Sequence, residues 1–448
     1  MTEAILSKDS ARKGIQTIPL KELTNVLNGR WESSPPDSIA SVRIDSRKCE
    51  PGDLFVALEG NRTDGHEYLD DASARGASAA FVREKQDVDL PQFVVDEPES
   101  ALQNLAVEYR TLRDDLLVIG ITGSCGKTTV KELLASMLRK KYELGQTPGN
   151  RNNQLGVPLT LLNHGRGDVL VLEMGMNSPG EIEQLTKWAR PEIGIITHIG
   201  PAHLKELGSI EVVAREKAQL FYNLPQDGLA FLPEEIPREK QLAQISSVDP
   251  IRVRYKKLQE EANTVEVRVE DEIYTLPYRA PYMIQNISLA IVVSRQLGLS
   301  ADRIQQVLEN FELLSGRGKV HHVADTRILD GSYNANPDSF RVAIERLQSF
   351  SAPRLVLAGD MWELGEEAER FHRDLGEQLA ELDQTEIIYV GEFCDEVRAG
   401  LGSNQNAHWF ESVEELPQIQ LSDYRSVLVK SSHGVGLHNI VDEWLDKP

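Results

Sequence analysis

The sequence predicts an α/β protein built on doubly wound, mainly parallel sheets. Three observations carry this. The runs "LLVIGIT", "DVLVLEMG" and "EIGIITHI" are apolar at successive positions, so both faces are expected to be buried, as in parallel strands. Helical patterns separate these runs, which makes βαβ units. A glycine-rich turn, "GITGSCGKTTVKE" from Gly120 to Glu132, joins the first run to a helix.

At 448 residues the chain exceeds one ordinary core, and its patterning divides into three blocks. Residues 1–114 hold the short strand-like pieces "DLFVAL", "AAFVRE" and "QFVV" and a helical "ESALQNLAVEYRTL". Residues 115–315 hold the buried runs above, with a polar stretch, "KKLQEEANTVEVRVEDEIYTL", expected to be an antiparallel excursion. Residues 316–448 repeat the α/β rhythm in "RLVLAGD", "EIIYVGE" and "SVLVKSS". Between the last two blocks, "SGRGK" at 315–319 is glycine-rich and polar, the composition of a hinge.

Composition narrows the function classes. The hydrophobic share of 40% and charged share of 26% suit a globular protein, and no apolar run is long enough to span a bilayer. The N-terminal "MTEAILSKDSARKG" lacks the apolar core of a secretory signal, so a cytoplasmic protein with no membrane insertion is expected. Cys49, Cys125 and Cys394 are scattered and contain no C-x-x-C pair, which excludes a disulfide framework or a zinc cluster. The net charge of −22 argues against nucleic acid as a partner, because phosphate backbones need a basic face.

The turn at Gly120–Glu132 departs from the full phosphate-loop pattern at one place: Ile121 stands where glycine is required. Gly123, Ser124, Cys125, Gly126, Lys127, Thr128 and Thr129 match. The setting is a strand, a loop and a helix, so backbone N–H groups and the helix N-terminus would face a nucleotide's phosphates. Lys127 would offset charge on the β- and γ-phosphates of ATP, and the Thr128 hydroxyl suits Mg²⁺. Cys125, beside Lys127 and a helix start, is expected to favour its thiolate. Glu173 follows a buried strand, at the edge where α/β sheets bind ligands. Glu173, His203 and Lys217 stay open at this point between metal-site residues and an ordinary loop carboxylate, histidine and helix lysine.

Longer motifs narrow the choice. "DSRKCEPGDLFVALEGNRTDGHEYLDDASARGASAAFV", "ITGSCGKTTVKE", "TPGNRNNQLGVPLTLL", "VLEMGMNSPGEIEQL", "GPAHLKELGS", "AREKAQLF", "DGSYNANPDS" and "AGDMWELGEEAERFH" follow one another along nearly the whole chain. In this order they resemble the Mur ligases of peptidoglycan precursor synthesis, whose phosphate loop has the same shortened form. "YNANPDS" followed by "GDM-x-ELG" is specific to the branch that adds D-alanyl-D-alanine to a UDP-N-acetylmuramoyl-tripeptide; the D-N-P-R motif of the diaminopimelate-adding branch is absent.

The resemblance implies three domains: UDP-sugar binding, central ATP binding with a phosphate loop, and a C-terminal Rossmann-like ligase domain that closes over the nucleotide. It implies that Lys127 and Thr128 hold phosphate and metal, and that Glu173 and His203 surround a second Mg²⁺. Lys217 matches a lysine often carried as a carbamate. Asn286 matches an adenine-side asparagine, and Arg317 and Asp330 match residues that reach the nucleotide. Ser46, Arg47, Asp64, Gly65 and His66 fall in the uridine-nucleotide domain. Asn334, Asn336 and Asp360 lie where the dipeptide and the closed interface are expected. A monomer is expected.

Four departures from the family pattern stand out, several of them around the expected nucleotide-binding cleft. His198 replaces an asparagine, Tyr282 a histidine, Gly331 the second aspartate of "DDSYNANP", and "KSSH" at 430–433 a "KGSR". The implied reaction is amide formation through an acyl phosphate. The alternatives are a diverged paralogue with another amine or peptide substrate, and a small-molecule kinase using the same loop. The kinase has no need of the first and third blocks.

Overall fold

A computed structural model describes residues 17–60, 63–261, 264–277, 281–402 and 406–446. The N-terminal stretch read for a secretory signal lies outside these residues.

The first sheet has the spatial order Arg30–Trp31, Gln92–Val94, Ala79–Val82, Leu54–Val56, Val42–Arg43. Only the Arg30–Trp31 edge is antiparallel. Helix Pro98–Leu112 starts with proline in its first turn, where the missing N–H would have no helical partner. Its buried Leu102, Leu105 and Tyr109 join a core that also holds Leu161 and Leu185 of the central block. Polar ties pin the same junction. The buried Arg113 guanidinium donates to the carbonyls of Gly165, Arg166 and Gly167 and pairs with Asp115. The Asn163 amide bonds both backbone groups of Val42, at 2.8 and 2.9 Å. The first two blocks therefore share one continuous apolar core.

The second sheet is fully parallel, in the order Ile251–Val253, Leu229–Pro233, Ile193–Ile196, Leu117–Thr122, Val169–Glu173, Leu144–Gln146. Alternate residues explain the unbroken apolar runs. Leu117, Ile119 and Ile121 face a core with helices Lys127–Leu138 and Pro281–Gln296. Val118, Leu170 and Leu172 face the other core, with Glu181–Ala189 and Ile210–Tyr222. Strand order turns at Leu117–Thr122, which places the ligand crevice of an open α/β sheet at its carboxyl end. The polar excursion forms a three-stranded antiparallel sheet, Tyr255–Glu260, Val265–Val269 and Glu272–Leu276. Val265, Val267 and Val269 alternate with exposed residues and close the central core.

The third sheet runs Lys319–Val323, Thr326–Gly331, Ser426–Lys430, Arg354–Gly359, Thr385–Val390, Ala407–Phe410, with only the first strand antiparallel. The hinge turn before it needs its glycines: Gly316 and Gly318 have φ of +74° and +85°. It is clasped to the sheet, since Gly316 N–H donates to the Asp330 carboxylate at 2.6 Å and Gly318 N–H to the Asp330 carbonyl at 2.6 Å. The third block lies against the second, where Lys205 N–H donates to the Glu363 carbonyl at 3.1 Å.

Candidate active site

The site is built from the carboxyl end of Leu117–Thr122. Ile121 belongs to that strand, is fully buried and pairs with Ile195 and Glu173. A glycine there has no turn to serve, which accounts for the shortened motif. The loop proper begins at Gly123, whose φ is +152°; a Cβ there would collide with the Thr197 hydroxyl. Gly126, at φ +83°, ends it, and a Cβ there would stand 2.7 Å from Asn286 Oδ1.

Segment 197–200 holds the loop from one side. Ser124 N–H donates to the His198 carbonyl, while the Ser124 hydroxyl donates to the Gly200 carbonyl at 2.9 Å and accepts Gly200 N–H at 3.0 Å. Ser124 is thus an anchor of the loop. Thr197 donates to the Cys125 carbonyl. Cys125 corrects an expectation: burial pushes its thiol up to about 11, outweighing Lys127, so the thiolate is disfavoured. Thr129 lies in the first turn of helix Lys127–Leu138.

Lys127 folds back on its own loop, its amine 2.6 Å from the Gly123 carbonyl. Burial and the neighbouring Arg317 lower its pKa, with Glu173 opposing. Thr128 donates to Glu173 Oε2 at 2.9 Å, and Asn152 donates to Glu173 Oε1 at 2.9 Å. Lys131 stands 3.8 Å from the same carboxylate and donates to the Thr147 and Gly149 carbonyls. Asn152 and Lys131 were not among the sequence candidates. Lys131 was within reach, because it follows Thr128 by three positions and shares its helix face.

Lys217, from helix Ile210–Tyr222, is completely buried, and its amine has no hydrogen-bond partner among the described residues. Burial first, then the charge of Lys127, lowers its pKa well below the usual lysine value. His203, at φ +57°, sets Nδ1 2.6 Å from Glu363 Oε2 of the third block. His203 holds the Glu363 carboxyl below its usual value. His198 likewise reaches across, with Nε2 3.0 Å from Asp338 Oδ2.

Asn286 is buried against Gly126. Tyr282, one turn earlier, meets Arg346 of the third block. The Arg317 guanidinium lies 3.7 Å over the Tyr333 ring, and Tyr333 contacts Asn150 of the central block. Asp330 is buried and already engaged, its carboxylate taking Gly316 N–H, Ser332 N–H and the Ser332 hydroxyl. Gly331 sits level with Lys430 on the next strand. His433 is exposed and stacks on His438 with centroids 4.1 Å apart.

Two residues expected at the dipeptide or the closed interface have structural work. Asn336 caps helix Pro337–Gln348 in a reciprocal box with Ser339. Asp360 is buried and accepts from the Tyr389 hydroxyl and the Glu392 and Phe393 N–H groups. Asn334 is exposed.

In the first block, Ser46 is buried in the turn Ser46–Lys48, and exposed Arg47 is held by Asp45 at 2.8 and 3.0 Å. Asp64 caps the turn Gly65–Tyr68. His66 Nε2 accepts Arg83 N–H at 2.9 Å, so its proton sits on Nδ1, 2.6 Å from Asp64. Gly65 allows close backbone approach, as a Cβ would be 2.6 Å from Leu58 N.

Family models match in three segments. "Mur ligase family, catalytic domain" covers residues 38–113, "Mur ligase middle domain" covers 121–293, and "Mur ligase, glutamate ligase domain" covers 301–433. The UDP-N-acetylmuramoyl-tripeptide–D-alanyl-D-alanine ligase of Escherichia coli is 31% identical, over 95% of this chain and 98% of its own. The crystal structure of MurF from Acinetobacter baumannii superposes with a TM-score of 0.86 at 28% identity, over 97% of this chain and all of that one. MurF from Thermotoga maritima, solved with ADP, superposes with a TM-score of 0.77 at 27% identity, over 90% of this chain and 96% of that one. With its shortened phosphate loop and three successive α/β blocks, the chain belongs to the Mur ligase family.

Proposed function

We propose that the chain joins D-alanyl-D-alanine to UDP-N-acetylmuramoyl-tripeptide through an acyl phosphate, releasing ADP and phosphate. The observation that carries this reading is the phosphate loop with Thr128 on Glu173 at the switch point, against which the third block is held by His198 with Asp338 at 3.0 Å and His203 with Glu363 at 2.6 Å. It is supported by relatives over nearly the full length that carry this name, and by one such relative solved with ADP. The domains run 1–114, 115–315 and 316–448, and the protein acts as a cytoplasmic monomer.

A carboxylate is a poor electrophile because an amine cannot displace oxide. Phosphorylating it creates a leaving group, but two anions must first approach. The loop N–H groups and the helix N-terminus bind phosphate, and Lys127 moves from the Gly123 carbonyl onto it. Arg317, held flat by Tyr333, adds charge from the third block. Asn286, against Gly126, takes the adenine side. Ser46, Arg47, Asp64, Gly65 and His66 serve the uridine nucleotide, and Asn334, Asn336 and Asp360 shape the dipeptide side.

Thr128 and Glu173 are oxygen ligands that fit Mg²⁺, and the buried Lys217 amine, which has no hydrogen-bond partner among the described residues, fits carbamylation, which would turn it into an oxygen ligand. Mg²⁺ held there would offset charge on the transferring phosphoryl group. Phosphate release, assayed with ATP, tripeptide nucleotide and dipeptide and then with each left out, tests the reading. Release should need all three, and a stable phosphorylated substrate without amide would favour the kinase alternative.

A further inference from the structure

A dipeptide amine is an ammonium ion at neutral pH and must lose a proton before its nitrogen attacks. Lys127 and Arg317 are placed for phosphate, and Glu173 is engaged by Thr128 and Asn152. Lys430 is different. It ends strand Ser426–Lys430, at the carboxyl edge of the third sheet, and is 5% exposed. Its amine donates to the Asn334 carbonyl at 2.9 Å and stands 5.5 Å over the Phe340 ring. The groups facing it are Arg317 of the hinge turn, Asp330 of the neighbouring strand and Cys125 of the phosphate loop. Among the described residues no carboxylate forms an ion pair with it, and level with it on the next strand stands Gly331.

We propose that Lys430 is the base that takes the ammonium proton of the incoming dipeptide. A neutral lysine here keeps its N–H bond to Asn334 and has its lone pair free. Burial, reinforced by Arg317, pushes the amine down to about 7, and Cys125 and then Asp330 oppose this only in part. The amine is held at 2.9 Å by the carbonyl of Asn334, in the segment expected on the dipeptide side, and Cys125 of the phosphate loop is among the groups whose charge acts on it. One ammonium proton passes to Lys430. The nitrogen forms its bond to the acyl carbon, the carbon–oxygen bond to phosphate breaks, and the second proton departs with phosphate. The assignment rests on the ligase reading above.

The test gives the full-length protein ATP, Mg²⁺ and tripeptide nucleotide, with either D-alanyl-D-alanine or hydroxylamine as nucleophile. Hydroxylamine is largely unprotonated at neutral pH and needs no base. Lys430→Met should raise the ratio of hydroxamate to dipeptide product on the order of 10²-fold at pH 7. Lys430→Arg should behave like Lys430→Met, because a guanidinium stays charged. Gly331→Asp sets a carboxylate beside the amine, since its Cβ would lie 3.5 Å from Lys430 Cδ. It should move the rising limb of the ligation pH profile to higher pH. Equal loss of both products in folded Lys430→Met, judged by circular dichroism and ADP binding, would overturn the base and make Lys430 a phosphate contact. Unchanged ligation would overturn it too. A wild-type protein that makes neither product overturns the ligase reading itself, and the base with it.

Discussion

Replacing Lys217 by methionine should stabilise the ligand-free protein and silence it. The lysine is completely buried, its amine has no hydrogen-bond partner among the described residues, and the leading charge acting on it is the like-signed Lys127. A buried donor without a partner costs about 1–3 kcal/mol, and more when charged. Methionine fills similar space with no polar atom to satisfy, so the variant should gain about 1–3 kcal/mol. A cooperative unit of about 150–250 residues shifts by ~2–4 °C per kcal/mol, so the melting temperature should rise by several degrees. Ligation should fall by on the order of 10²-fold or more, as a charge-stabilising group is lost. Scanning calorimetry in CO₂-free buffer and coupled phosphate release read the two effects. A lower melting temperature would mean the amine has a partner in solution, and a stabilised variant with full activity would refute any role in the reaction. In Lys217→Ala, short carboxylates at raised Mg²⁺ should partly restore turnover.

Two further outcomes are expected. Lys127→Ala should keep its fold, because the amine's bond is to its own loop carbonyl, yet lose on the order of 10²–10³-fold in kcat; near-normal turnover by a folded variant contradicts its phosphate role. His372 is buried neutral, with Nε2 accepting Met361 N–H and Nδ1 donating to the Ala368 carbonyl, and burial lowers its pKa below 6.5. The unfolded chain therefore binds the extra proton first. Stability should be full above about pH 6.5 and be lost as pH falls through the lowered folded-state value, whereas a urea midpoint for His372→Ala with the same pH slope as wild type would exclude this.

The legible parts of the fold are those encoded in contiguous residues. Leu117–Thr122, Val169–Glu173 and Ile193–Ile196 stand out because alternate side chains enter two different cores, leaving no polar face. Strands Arg30–Trp31 and Leu144–Gln146 are too short to show a period and exist through their neighbours. The phosphate loop is legible because loop and helix start adjoin in sequence. Pairs such as His198 with Asp338 and His203 with Glu363 arise only when distant segments meet. Lys217 follows the ordinary charge pattern of a surface helix, and only packing reveals its burial. Asn336 and Asp360 show the converse: residues marked by the motif for the dipeptide side also cap a helix and close a loop.

The central claim is that the tripeptide carboxylate is phosphorylated before the amide forms. It is tested most directly by labelling that carboxylate with heavy oxygen, running the full reaction with ATP and D-alanyl-D-alanine, and weighing the released phosphate by mass spectrometry. One labelled oxygen should appear in the phosphate for each amide formed. Unlabelled phosphate alongside amide product would contradict it.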